Sequence, residues 1–442
     1  MNPESLAKQL KNVLPIAMTG TVLEASGTTV RVAGFPAPVG AVAEIERFSG
    51  GGIPADVVGF RDTTAILFPH VAMFGVRRGD RVRLRHTSGW LALSENLLGQ
   101  VLDANGRPIQ PKPECDADQE RVPFDREAPN ALSRPRITTP LSTGVRAIDG
   151  ILTLGEGQRV GIFAGSGVGK SVLLGMMARY SSADVIVIGL VGERGREVND
   201  FIERDLGESG LRRSVLVVAT SDESAVLRVR AAKTATAVAE FFRDRGKNVL
   251  LLMDSLTRFA MAQREIGLAA GEPGVRNGYP PSVFAQLPPL VERAGRTERG
   301  TITALYTVLV EGDDENEPIA DTVRGLLDGH IWLSRKLAGS GHYPAIDILS
   351  SVSRLMPDIC SKSQQEAARK IRRWISLWRE HEDLINIGAY RSGTHPELDE
   401  AIAKRPLLEK FLCQPTEEPS NLDQAVRKMT EILGESWHST SN

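Results

Sequence analysis

The stretch Ala164-Gly165-Ser166-Gly167-Val168-Gly169-Lys170-Ser171 constrains this chain more than any other. Ahead of it, Arg159 to Ala164 reads as a short buried strand. Behind it, Val172 to Arg179 reads as a helix. A strand, a glycine-rich turn and a helix that opens on Lys-Ser make a phosphate-binding loop. The glycines permit backbone conformations closed to other residues. The loop N–H groups and the helix N-terminus then converge on an anion. In such a loop Lys170 reaches the β- and γ-phosphates and the Ser171 hydroxyl holds Mg²⁺. The nucleotide cradle is therefore expected from Ala164 to Val172. The pattern usually opens on glycine, and here Ala164 takes that place.

Around this loop, strands and helices alternate from about Leu141 to Arg354. That pattern predicts an α/β core with a mostly parallel sheet covered on both faces. Strands are expected at 159–164, 185–191, 214–219, 249–254 and 301–309. A long helix is expected over 223–243, capped by Asp222.

The flanks differ. From Thr19 to Arg85, short β runs recur about every ten residues, which predicts a small barrel or sandwich. Residues 86–140 are rich in proline and read as an ordered connector. Pro111, Pro113, Pro123, Pro129, Pro135 and Pro140 are expected outside regular elements. Residues 1–17 carry Leu6, Leu10, Val13 and Leu14 on one side of a possible short docking helix. After Ser363 the pattern is helical, at 364–379, 399–411 and 421–433. The expected division is a docking segment (1–18), a β-barrel domain (19–87), the connector (88–140), the nucleotide-binding core (141–358) and a helical domain (359–442).

Composition sets outer limits. The chain has 442 residues, enough for about three domains of ~100–200 residues each. Its 53 basic and 55 acidic residues nearly cancel, which argues against bulk electrostatic capture of nucleic acid. Cys115, Cys360 and Cys413 are far apart and lack metal-binding spacing. They fit a reduced cytoplasmic compartment. No apolar run approaches the ~18 residues that span a bilayer.

Two further stretches carry chemistry. Asn248-Val249-Leu250-Leu251-Leu252-Met253-Asp254 is an apolar strand ending in a carboxylate, a Walker B pattern. Asp254 is assigned to the Mg²⁺ coordination shell. Val191-Gly192-Glu193-Arg194-Gly195-Arg196-Glu197 follows the strand expected at 185–191. A carboxylate at the carboxyl end of such a strand faces the ligand crevice. Glu193 is placed to polarise a water for in-line attack, and Arg194 to bind γ-phosphate oxygens. The competing reading is a charged loop held by its own ion pairs.

Together, G-S-G-V-G-K-S, V-G-E-R-G-R-E, L-L-M-D-S-L-T-R, G-H-Y-P-A-I-D and S-V-S-R resemble the catalytic subunits of the F1/V1 rotary-type ATPases. The chain looks most like the ATPases of type III secretion and flagellar protein export. Val145-Arg146-Ala147-Ile148-Asp149 and the stretch 161–180 look more like the flagellar branch. The resemblance runs from about residue 20 to 415. It implies a RecA-like parallel-sheet ATPase core with an N-terminal β-barrel and a C-terminal helical domain. It implies a homohexamer with ATP and Mg²⁺ bound at subunit interfaces.

Residue roles follow from the same resemblance. Glu193 matches the family's catalytic glutamate, and Arg194 follows it as in the family. Arg258 matches an arginine beside the phosphates. Arg354 matches the arginine finger that reaches a neighbour's site, and Tyr343 the aromatic that stacks on adenine. The competing readings are a structural Arg354 paired with a carboxylate such as Asp347, and ordinary packing for Tyr343. Rotary ATPase β subunits carry a second adenine-stacking aromatic shortly after F-L-x-Q-P. Here Phe411-Leu412-Cys413-Gln414-Pro415 is followed by Thr416.

The resemblance also implies partners. These are a regulator or stator protein at the N-terminus, a central coiled-coil stalk protein, an export gate and chaperone–substrate complexes. The Gly/Pro-rich loop 271–281 would face the stalk. The protein would sit in the cytoplasm, peripheral to the inner membrane. The acidic stretch 311–317 reads as a solvated loop.

The function expected is an ATP hydrolase that energises flagellar or type III protein export. The injectisome branch is the alternative. An RNA-translocating hexamer would need a barrel with exposed aromatics and clustered basic residues. Residues 19–85 hold five phenylalanines, Phe35, Phe48, Phe60, Phe68 and Phe74, and no lysine. A non-catalytic subunit would lack Glu193. An ion-pumping synthase β subunit is disfavoured by Thr416.

Overall fold

Six short strands close into the N-terminal barrel: β1 (Thr19–Ser26), β2 (Thr29–Ala33), β3 (Val42–Glu46), β4 (Gly52–Arg61), β5 (Thr64–Pro69) and β6 (Arg81–His86). Their order is β1-β2-β5-β4-β3-β6, with β6 pairing back onto β1. Alternation builds the interior: Val30 and Val32 of β2 and Ala43 and Ile45 of β3 point inward and are fully buried. Closure removes the unpaired strand edges that an open sandwich would leave.

The computed structural model describes residues 18–48, 50–110, 119–310 and 317–434. The helix expected at 1–17, Pro111, Pro113, Cys115 and most of the acidic stretch (311–316) lie outside the described residues.

The connector is less separate than its prolines imply. Its β7 (Trp90–Leu93) pairs with β9 (Glu120–Pro123), while β8 (Gln100–Leu102) joins the core sheet as an edge strand parallel to residues 215–217. Pro123 does sit within a strand, opposite Trp90 at the end of that two-stranded ribbon. Pro140 likewise lies in β10 (Pro140–Leu141), which pairs with β11 (Leu154–Gly155). At such margins a missing N–H leaves no interior ladder bond unmade.

The core sheet is built from β12 (Arg159–Ala164), β13 (Val185–Glu193), β14 (Ser214–Thr220), β15 (Asn248–Asp254), β16 (Gly295–Arg296), β17 (Thr301–Leu309), β18 (Gly329–Leu333) and β19 (Val352–Ser353), with β8 at its edge. Its order is β19-β18-β12-β17-β15-β13-β14-β8. Only β16 and β19 run antiparallel to their neighbours. Near-continuous apolar runs such as Val249 to Met253 are buried on both faces, as a parallel sheet under helices requires.

Helices cover that sheet: α1 (Arg146–Ile151), α2 (Lys170–Tyr180), α3 (Ala225–Arg243) and α4 (Leu256–Ala269). Asp222 does not cap α3, contrary to the sequence expectation. The helix starts after Ser224, because Glu223 turns back to accept the Thr220 N–H at 3.0 Å. The C-terminal helices are α5 (Lys362–Asn386), α6 (Pro396–Leu412) and α7 (Leu422–Leu433). Asn421 opens α7 with a reciprocal capping box to Gln424.

Two polar clamps join these parts. Asp56 of the barrel accepts from Arg230 of α3 at 2.6 Å and pairs with His70 at 2.8 Å. Arg230 also donates to Asn105 of the connector at 2.7 Å. At the other end, buried Arg146 donates to the carbonyls of Phe411 (3.1 Å) and Cys413 (2.6 Å). The Gln414 side chain accepts the Arg146 N–H at 2.8 Å.

Candidate active site

The phosphate loop joins β12 to α2. Gly167 and Gly169 have φ of +78° and +85°, so both need the freedom of glycine. A β-carbon at Gly167 would meet nothing within 4 Å, so the cradle is open there. At Gly169 it would fall 3.3 Å from the Tyr343 ring, which therefore lies against the loop. Ala164 ends β12 and is buried, as is Val168, while Ser166 and Val172 are exposed. Ser171 stands in the first turn of α2 beside Lys170.

Three charges meet below the loop. Lys170 Nζ lies 2.5 Å from Asp254 Oδ1 and 3.9 Å from Glu193 Oε1. β13 and β15 are adjacent, which brings the two carboxylates to the same sheet edge. The Thr307 hydroxyl of β17 adds a 2.7 Å bond to Asp254 Oδ1. Glu193 Oε1 is buried with no hydrogen-bond partner. Burial raises the Glu193 pKa to about 7, helped by the Asp254 charge and opposed by Lys170.

Arg258 packs beside this group. A β-carbon on Gly192 would lie 3.0 Å from Arg258 Cβ, and Arg258 Nε is buried without a partner. Arg194 does not join them. It points to solvent and pairs with Glu197 at 2.9 Å, as the intra-loop reading expected.

Arg354 is remote from this centre. Its N–H donates to the Asp328 carbonyl (3.0 Å), and the Asp328 N–H donates to the Arg159 carbonyl (2.8 Å). Arg159 begins β12, whose other end carries the phosphate loop. The strand therefore holds Arg354 roughly 15 Å or more from its own loop, at ~3.3 Å per residue.

Sequence reasoning missed two side chains here. A β-carbon on Gly165 would fall 2.4 Å from Arg335 Nε, so this guanidinium overlies the loop. Its signal was a cation just beyond a strand, but β18 itself went unread. Thr307 gave no sequence signal beyond a hydroxyl within an apolar strand.

The oxygens of Ser171 and Asp254 are hard donors suited to Mg²⁺, and the buried Glu193 oxygen, which accepts no hydrogen bond, suits a water. The open cradle with its ammonium suits a polyphosphate.

Residues 144–353 match the nucleotide-binding domain of the ATP synthase alpha/beta family, and residues 360–431 match the C-terminal domain of the type III secretion ATPase EscN. The flagellum-specific ATP synthase of Bacillus subtilis is 53% identical over 386 residues, covering 87% of this chain and 88% of that protein. The chain belongs to the flagellar and type III secretion ATPase family. The type 3 secretion system ATPase of Xanthomonas euvesicatoria is 48% identical over 429 residues, with 97% of each chain covered. The assembled EscN of enteropathogenic E. coli superposes with a TM-score of 0.89 at 44% identity, covering 94% of this chain and all of that one. EscN with its central stalk EscO matches with a TM-score of 0.87.

As a member of this family the chain is an ATP-binding hydrolase. The barrel, parallel core and helical end expected from the sequence are all present. Among the described residues no helix is long and apolar enough to cross a membrane.

Proposed function

We propose that this chain hydrolyses ATP at sites shared between neighbouring copies of a homohexamer, and so energises flagellar protein export. The observation that carries the reading is the buried Glu193 oxygen that accepts no hydrogen bond, beside Lys170 and Asp254.

Lys170 satisfies its charge on Asp254. An incoming triphosphate offers more negative charge, so Lys170 turns to the β- and γ-phosphates. The loop N–H groups bind the phosphates, and Tyr343 stacks on adenine. Ser171 and Asp254 would hold Mg²⁺, which neutralises charge on the phosphate oxygens. Glu193 takes a proton from water as the water oxygen attacks the γ-phosphorus. The bond to the β–γ bridging oxygen breaks, and ADP and phosphate leave. Arg258 stands beside the phosphates. Arg194 reaches them only when its pair with Glu197 opens.

Arg354 serves the neighbour's site, where its guanidinium neutralises the transferring phosphoryl group. Its distance from its own loop supports that role. The assembled EscN supports a hexamer, and the EscN–EscO complex supports a coiled-coil stalk as partner. The loop carrying exposed Val275 is the surface offered to that stalk. A regulator at the N-terminus, the export gate and chaperone–substrate complexes complete the partners, at the cytoplasmic face of the inner membrane. The flagellar branch is favoured by the 145–149 and 161–180 stretches over the injectisome branch.

The test is ATPase rate against protein concentration, with mass followed by light scattering. Rate per chain should rise as the hexamer forms. A flat rate in a protein that stays monomeric overturns the shared site.

A further inference from the structure

The Asp254 carboxylate is held from the neighbouring strand as well as from the phosphate loop. Thr307 Oγ1 lies 2.7 Å from Asp254 Oδ1 and 3.3 Å from the Met253 carbonyl. A hydroxyl has one hydrogen to donate. The shorter contact, to a charged acceptor, is the stronger bond. Lys170 Nζ addresses the same oxygen, at 2.5 Å. Both donors therefore converge on Oδ1, and the other carboxylate oxygen is not used by either.

The two donors differ in what they can do. Lys170 sits on a long flexible stem and has a second destination in the phosphates. Thr307 is fixed. It is fully buried on β17, and its predecessor Tyr306 is in register with Met253 of β15. The end of β17 is tied down as well, since the Leu309 N–H donates to Thr257 Oγ1 at 2.8 Å. When Lys170 leaves for a nucleotide, Thr307 stays on the carboxylate.

We propose that Thr307 is a positioning residue for the metal shell, keeping the Asp254 carboxylate aimed for Mg²⁺ while Lys170 moves between that carboxylate and the phosphates. This rests on Asp254 belonging to the Mg²⁺ shell. Its consequence is specific. Loss of the hydroxyl weakens the gain in nucleotide affinity that Mg²⁺ provides, and leaves metal-free nucleotide binding alone.

The test uses the full chain, a fluorescent ADP analogue, and equilibrium titrations in Mg²⁺ and in EDTA. Thr307→Val keeps the shape and removes the hydroxyl, whereas Thr307→Ser keeps the hydroxyl. In Thr307→Val the Mg²⁺-dependent gain should fall about tenfold, the worth of one hydrogen bond to a charged group. Binding in EDTA should match wild type, and Thr307→Ser should restore the gain. An undiminished gain in Thr307→Val overturns the proposal. So does an equal loss in Mg²⁺ and EDTA with no rescue by serine, the mark of a general packing defect. Asp254→Asn separates the two levels: if it keeps the full gain, the placement of Asp254 in the metal shell fails, and the role of Thr307 falls with it.

Discussion

Arg379 binds both oxygens of Asp347, at 3.1 and 3.2 Å. Asp347 is thus occupied, and it is not the structural partner that Arg354 might have had. Among the described residues the exposed Arg354 guanidinium makes no ion pair. A cation left in solvent at an edge of the subunit, far from its own phosphate loop, is available to another copy.

Arg354→Ala should therefore lose about 10³–10⁵ in turnover while binding ATP normally. Glu193→Gln should be inactive too, yet the two dead proteins mixed and reassembled should recover activity. A mixed interface pairs an intact Glu193 with an intact Arg354 in one of its two orientations, so part of the interfaces regain a full site. Phosphate release by the mixture checks this, and no recovery would place both residues in one copy's site.

Within one chain, Glu193→Gln should bind ATP with near wild-type affinity and fall about 10²–10⁴ in kcat, the usual share of a general base. Lys170→Ala should be inactive as well. Nucleotide titration beside steady-state turnover separates binding from chemistry. Wild-type turnover in Glu193→Gln would remove Glu193 from its role.

In its proposed role Glu193 must be ionised to take a proton, and burial with the Asp254 charge raises its pKa to about 7. kcat/KM, which reports the free enzyme, should fall as pH drops through that value. Glu197 adds to the upward shift, after burial and Asp254. Glu197→Gln should therefore move the acidic limb to lower pH. A pH–rate profile of both proteins reads the shift directly.

Tyr343 lies against Gly169 with its ring partly open to solvent. Thr416 brings no aromatic ring, and its carbonyl is engaged by Arg179 and Tyr180 at 2.8 and 3.1 Å. In the role proposed for it, Tyr343 is the one aromatic contact to the base from this side-chain pair. Tyr343→Ala should weaken ATP binding by about 1–3 kcal/mol, and Tyr343→Trp should keep it. Calorimetry on the three proteins measures the difference.

The barrel is tied to the core by Asp56. Burial raises its pKa, but the bonds to His70 and Arg230 outweigh burial and hold it below the usual carboxylate value. A folded pKa below the unfolded one adds stability above the unfolded value, lost as pH falls through the folded one. At neutral pH, Arg230→Met should cost about 3–5 kcal/mol by stranding a buried carboxylate. Replacing both, as Asp56→Leu with Arg230→Met, should recover part of that loss. Thermal unfolding followed by circular dichroism shows whether it does.

Much of this was legible in one dimension because the signals are local. Gly167 and Gly169 need left-handed backbone, Lys170 and Ser171 must open a helix, and Asp254 must end an apolar strand. Each demand is met within a few residues. The strands missed were those whose identity depends on neighbours. Gly329–Leu333 is short and follows a helix, and Gln100–Leu102 lies among prolines and glycines. Both become strands by pairing with a sheet edge already built.

The chain by itself determined a phosphate-binding loop and the kinds of layers it lies between, since backbone sterics and hydrophobic period act over short range. Only the folded molecule decided which charges meet. It set Lys170 on Asp254, turned Arg194 outward to Glu197, and sent Arg354 to the far end of β12. Those outcomes depend on strand order and on competition among partners hundreds of residues apart, and no local pattern encodes either.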